Sequence, residues 1–151
     1  MSDPFHYYED PDAPGWMRWE LREAGRFNSF LGHVSTRLDG DAAIVRMMPR
    51  YEHSNLLDKV HGGALLGFVD VALFGAARSF GVLAGPAVTI DISAQFVGAA
   101  ALDVALDARV ELLRETGRLL FLRGLIVQQG ETVASFTGTI RKFAARTASP
   151  E

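Results

Sequence analysis

From Ala64 to Ala77 the chain is apolar or small at every position but one, Asp70. A run of this length without a polar stripe predicts a helix enclosed on most sides, not one lying half in water. It opens at His61-Gly62-Gly63 and ends near Gly81. After Gly85-Pro86 the period changes to two. Val88, Ile90, Ile92, Ala94 and Phe96 alternate with Thr89, Asp91, Ser93 and Gln95, which predicts a half-buried strand. A second alternation from Leu102 to Leu112 sets Asp103, Asp107, Arg109 and Glu111 on its polar side. Glu115-Thr116-Gly117 turns the chain into a strand over 118–128 that is apolar on both faces, and Gln129-Gly130-Glu131 into another over 132–143. Upstream, 30–38 and 42–48 read as strands joined by the hairpin signal Asp39-Gly40-Asp41. Trp16, Met17, Trp19, Leu21 and Phe27, mixed with Arg18, Glu20, Arg22 and Glu23, predict a short helix between Pro14 and about Asn28.

The order is helix, two strands, enclosed helix and four-strand meander. It predicts an α+β fold, an antiparallel sheet curled around one long central helix, because the late connections are too short for crossovers. That is the pattern a hotdog fold leaves. The domain is expected to span 16–143, with a mobile or loosely docked arm over 1–15 and a flexible tail over 144–151. At 151 residues and 48% hydrophobic content there is material for one real core. The net charge of −3, with Lys and Arg scattered, gives no reason to expect nucleic acid. The absence of cysteine excludes disulfides, thiol catalysis and Cys-zinc sites, and fits a reducing compartment. The acidic N-terminus lacks a signal-peptide pattern and no stretch approaches an uncharged membrane span. The expectation is a soluble, cytoplasmic protein without a membrane partner.

Chemistry concentrates on the enclosed helix. Two residues without a Cβ at its first turn, Gly62 and Gly63, leave the unpaired N–H groups open to close approach. Such a helix start stabilises negative charge, including the oxyanion formed when water attacks a carbonyl. A lone carboxylate in an apolar helix, Asp70, needs a partner, a raised pKa or a task. Gly62 and Asp70 are eight residues apart, roughly 12 Å along the axis. A general base must lie within about 3 Å of the water it activates, so one copy cannot easily serve one substrate with both groups. Two antiparallel copies could, and a catalytic reading therefore predicts a homodimer with two shared sites.

Asn55 precedes His61-Gly62-Gly63 by six residues, Asp70 follows His61 by nine, and Val88-Thr89-Ile90-Asp91 opens the strand after the helix. In these four features the chain resembles the hotdog-fold acyl-CoA thioesterases of the phenylacetate-pathway (PaaI) type. The resemblance covers roughly 49–97 by motif and the remainder by strand order. It implies hydrolysis of an acyl-CoA by water, with no metal and no cofactor other than the coenzyme A of the substrate. Gly62 N–H would polarise the thioester carbonyl, and Asp70 of the partner chain would act as general base or nucleophile. Asn55 would hold the water or thioester, and Thr89 would orient Asp70 or the water. His61 and Gly63 would shape the helix start. The acyl group would lie along an apolar groove with Leu65, Phe68, Val69 and Phe74 as candidate lining. A dimer of dimers, a homotetramer, is plausible from the family's habit. The chain departs from the family at Asp58, where Gly usually stands three residues after the Asn.

Other readings stay open. A hotdog hydratase would need a catalytic His with a carboxylate, often in a Pro-Gly-rich context, and nothing around His61 matches. A non-catalytic acyl-CoA sensor would have no use for Asp70. His53 and His61, with Glu52 nearby, fit no zinc spacing. His6 and His33 read as surface or strand residues, and Ser54 and Ser93 lack a nucleophile-elbow context. Trp16 and Trp19 read as cover for the core edge. Arg141, Lys142 and Arg146 could meet coenzyme A phosphates, though an ordinary solvated end suits them better.

Overall fold

In the computed structural model, residues 4–144 are described. Eight strands form one sheet, antiparallel throughout: β1 (Phe5–Glu9), β2 (Met17–Leu21), β3 (Val34–Asp39), β4 (Ala42–Met47), β5 (Ala87–Phe96), β6 (Leu106–Glu115), β7 (Leu119–Gln128) and β8 (Glu131–Lys142). Their spatial order is β1-β2-β3-β4-β6-β7-β8-β5. A short helix α1 (Phe27–Phe30) precedes β3, and the long helix α2 (Gly62–Ser79) lies in the curl of the sheet. This is the hotdog arrangement.

The sheet wraps α2 because one face of the helix is apolar and close-fitting. Leu65, Phe68, Val69, Ala72, Leu73 and Ala76 are buried against Val45, Leu106, Leu122, Ile126 and Ile140, among others. By length and hydropathy α2 matches a membrane span more nearly than the sequence reading allowed, and this buried face accounts for its composition. One strand-facing contact is tight enough to require glycine: a Cβ at Gly138 of β8 would overlap the Leu73 side chain, itself fully buried. Gly138→Ala is expected to lower stability by about 1–3 kcal/mol, the usual cost of an extra methyl in a filled core. Urea denaturation measures it.

Three expectations are corrected. The helix predicted over 14–28 is strand β2 followed only by α1, and the predicted arm contains β1, which pairs with β2 from Phe5↔Leu21 to Glu9↔Met17. The local signal was present, since Met17, Trp19 and Leu21 alternate with Arg18 and Glu20 at period two. The loop of this hairpin is anchored to β3. Buried Asp10 accepts from Asp12 N–H (2.9 Å), Arg18 (3.0 Å) and the Ser35 hydroxyl (3.2 Å). The Asp12 N–H, with Arg18 and Ser35, holds its carboxyl below the usual carboxylate range although burial pushes the other way.

Secondly, the meander has three strands, β6 to β8. β5 pairs with β8 and occupies a sheet edge. Thirdly, the strand expected from 102 begins at Leu106. Residues 101–104 instead wrap around the buried amide of Gln128, which accepts from Ala101 N–H (2.7 Å) and donates to the Ala101 and Val104 carbonyls (3.0 and 2.9 Å). The tail expected from 144 lies outside the described residues beyond Ala144.

Candidate active site

Asp70, Phe74 and Arg78 follow one another at four-residue steps on α2, so they share a face. That stripe, with Val71 and Gly75, forms one wall of a cavity of about 240 Å³. Phe5 of β1, Trp19 of β2, Asn28 of α1 and Val34 of β3 complete it. The N-terminal hairpin is thus part of the site. Trp19 is fixed there by an Nε1–H bond to Thr36 Oγ1 (2.9 Å), with Tyr7 stacked at 3.9 Å and Phe5 edge-on at 6.0 Å.

The Asp70 carboxylate is half-buried and accepts from the Thr89 hydroxyl at 2.5 Å. Thr89 sits where the β5–β8 register slips between Thr89 and Asp91. Such a bulge re-aims a side chain, and here it accompanies the turn of Thr89 onto α2. Among the described residues Thr89 is the one hydrogen-bond partner of Asp70. This geometry leaves the carboxylate oriented at the cavity wall, with no ion-pair partner in contact among the described residues.

The other end of α2 is built by its cap. His61 Nδ1 accepts from Gly63 N–H at 2.8 Å, and His61 C=O accepts from Leu65 N–H at 3.0 Å. Gly62 N–H, in contrast, has no acceptor among the described residues. A Cβ at Gly62 would stand 3.3 Å from the Phe96 ring at the far end of β5. His61 therefore serves as the helix cap.

Asn55 builds the preceding turn. Its Oδ1 accepts from Leu57 N–H (2.8 Å) and Lys59 N–H (3.1 Å), so that oxygen is committed to the loop. Asp58 in that turn has φ +57°, the left-handed conformation that glycine adopts without strain. Asp in place of the family's Gly is accommodated there, since Asp tolerates this region better than most residues.

Leu65, Phe68 and Val69 do not line the cavity. They point to the sheet and are at most 3% exposed, because their positions fall on the helix face opposite Asp70 and Phe74. Of the predicted apolar lining, Phe74 alone reaches the cavity. His53 is also structural. Its ring is buried, accepts from Arg50 N–H at 2.9 Å and lies 2.6 Å from the Phe30 carbonyl. Among the described residues no three His, Asp or Glu side chains cluster as metal ligands would. Phe5, Trp19, Asn28 and Arg78 were missed by sequence reasoning. The period-two pattern over 17–21 could have found Trp19, and the four-residue spacing from Asp70 could have found Arg78.

Among solved structures, a variant of phenylacetic acid degradation protein PaaI from Thermus thermophilus aligns over 78% of this chain and 98% of its own, at 26% identity and a TM-score of 0.63. PaaI from the E. coli phenylacetic acid degradation operon aligns over 77% and 83%, at 23% identity and a TM-score of 0.65. A hypothetical thioesterase from Streptococcus pneumoniae, solved with coenzyme A, aligns over 70% and 83%, at 22% identity and a TM-score of 0.61. The curated proteins yield no match. The model of the family described as "Thioesterase superfamily" matches residues 58–135, more than half of the chain, and the chain belongs to that superfamily.

Proposed function

We propose that the protein hydrolyses acyl-CoA thioesters in two equivalent sites, each shared between two copies of the chain. The observation that carries this reading is Asp70, a carboxylate oriented by the Thr89 hydroxyl where it meets a largely apolar cavity. A thioester carbonyl at that wall can be attacked by a water that Asp70 deprotonates. Alternatively, Asp70 attacks directly and the resulting anhydride is hydrolysed. Either way the coenzyme A thiolate leaves and is protonated. The N–H of Gly62 from the other copy is the donor suited to the oxyanion.

The pairing is supported by β5. This edge strand runs from Thr89, bound to Asp70, to Phe96, against Gly62. Val88, Ile90, Phe96 and the following Val97 are 45–55% exposed along or just beyond it, an apolar edge that a lone sheet would leave open to aggregation. Antiparallel pairing of two β5 edges sets the Thr89 end of one copy toward the Phe96 end of the other. The Asp70 of one protomer then approaches the Gly62 of its partner. Asn55 contributes by holding the loop before α2, since its Oδ1 is already engaged.

Thiol release from a panel of acyl-CoAs tests the reading directly; binding without turnover would support the sensor alternative. Within that assay, Thr89→Val is expected to lower kcat about 10- to 100-fold, the worth of one hydrogen bond to a charged group. Intact folding of the variant is checked by thermal melting.

A further inference from the structure

Residues 23–29 form a strap beside the cavity, pinned at its two ends. Arg22 N–H donates to the Pro4 carbonyl at 2.9 Å, and the Phe30 carbonyl accepts from the Arg50 guanidinium at 3.1 Å. Between these pins, among the described residues, the strap's hydrogen bonds stay within 23–32. Arg26 donates to Glu23 at 2.7 Å, and Ser29 donates to the Arg26 carbonyl from both its N–H and its hydroxyl. No residue of the strap is buried, and Gly25, at φ +92°, has open space around it. Exposed side chains and purely local bonds mark a segment that opens at low cost.

Its grip on α2 is a ring seated on a glycine. A Cβ at Gly67 would stand 2.9 Å from Phe27 Cζ, so the ring occupies the space that any other residue at 67 would fill. Gly67 precedes Asp70 by three residues and Val71 by four, which puts it at the N-terminal end of the stripe that walls the cavity. Asn28, the next residue of the strap, lines the cavity itself. Phe27 therefore lies over α2 within a turn of Asp70, with 60% of its own surface exposed. We infer that the strap is a lid over the Asp70 end of the cavity, with Phe27 as its latch and as a positioning residue for the thioester. The acyl chain enters when the ring leaves Gly67, and reseating of the ring holds the chain with its carbonyl at Asp70. This rests on the reading of the cavity as an acyl-CoA site given above and adds gating to it.

The test is Gly67→Ala and Phe27→Ala, alone and together. A methyl at 67 displaces the far end of the Phe27 ring and otherwise meets only Leu31, at 3.9 Å. Alanine also suits a helix interior better than glycine, so this variant should fold. Each single variant is expected to speed trypsin cleavage after Arg26 in the free protein by about 10-fold, and the double variant by no more than either. Turnover is read on whichever of acetyl-, hexanoyl-, phenylacetyl- and palmitoyl-CoA the wild type hydrolyses best. There each variant should lower kcat/KM by about 10- to 100-fold, with kcat and KM both moving and again without adding. Unchanged cleavage, unchanged kcat/KM or additive effects overturn the inference while hydrolysis stands. So does weaker self-association of the variants in sedimentation, which would make Phe27 an interface residue. A wild type that hydrolyses none of the four defeats the hydrolase reading on its own, and the lid is then judged by protection. Slower cleavage after Arg26 with an acyl-CoA in the wild type, but not in Gly67→Ala, upholds it; no protection by any of the four overturns it.

Discussion

Asp70→Asn is expected to abolish thioester hydrolysis while leaving the molecule folded. The substitution is isosteric, and the amide oxygen can still accept from Thr89, so the α2–β5 contact survives. What is lost is the ability to take a proton from water or to attack a carbonyl. General-base catalysis contributes about 10²- to 10⁴-fold, and kcat should fall by that much or more if Asp70 is instead the nucleophile. Because the cavity walls are unchanged, KM should move little. The measurement is thiol release under saturating substrate, with thermal melting and sedimentation alongside. Equal rates in both proteins would remove Asp70 from the mechanism, whatever the fold. An 18O-water single-turnover experiment then separates the two roles, since a covalent anhydride can place solvent oxygen in the Asp70 carboxylate and a general base cannot.

The parts of the molecule legible in the sequence were those whose signal is local and unmixed. The apolar run interrupted only by Asp70 marked α2, and strict alternation from Val88 to Phe96 marked β5. The family resemblance gave Thr89 the task of orienting Asp70 or the water, and the structure has its hydroxyl donating to the Asp70 carboxylate. The N-terminal region was misread because Trp, Met and Leu interleaved with Arg and Glu over few residues satisfy helix and strand periods alike. Sheet pairing from Met17↔Thr36 to Trp19↔Val34 decides for the strand, and tertiary contact of that kind has no trace in composition. The position of β5 beside β8 was hidden for a related reason. Residues 97–105 return across the sheet mouth on bonds from Val97 and Gly98 to Val133 and from Gln128 to 101–104, none of which sequence spacing reveals. The cavity was therefore only half visible. On α2, Asp70 and Phe74 were expected there but Leu65, Phe68 and Val69 were placed on the wrong helix face, and Phe5, Trp19 and Asn28 arrive from elements whose packing the sequence left ambiguous.

Gly62→Val and Asp70→Asn, each inactive alone, are expected to recover activity when mixed. Valine at 62 covers the helix-start N–H that glycine leaves accessible, and its Cβ meets the Phe96 ring at 3.3 Å. Loss of one oxyanion donor typically costs about 10²- to 10³-fold. In a dimer whose sites each take Gly62 from one chain and Asp70 from the other, a heterodimer of the two variants has one site with both lesions and one with neither. Random reassociation makes about half of all dimers mixed, so an equimolar co-refolded sample should regain roughly a quarter of wild-type turnover. If both groups instead served one substrate from a single chain, every site would carry one lesion and mixing would restore nothing. The distance of about 12 Å along α2 argues for the first outcome. Active-site titration of the mixed sample gives the fraction of competent sites, and sedimentation confirms that each parent assembles as the wild type does. A recovered quarter would place the Gly62 of one chain and the Asp70 of another at the same carbonyl.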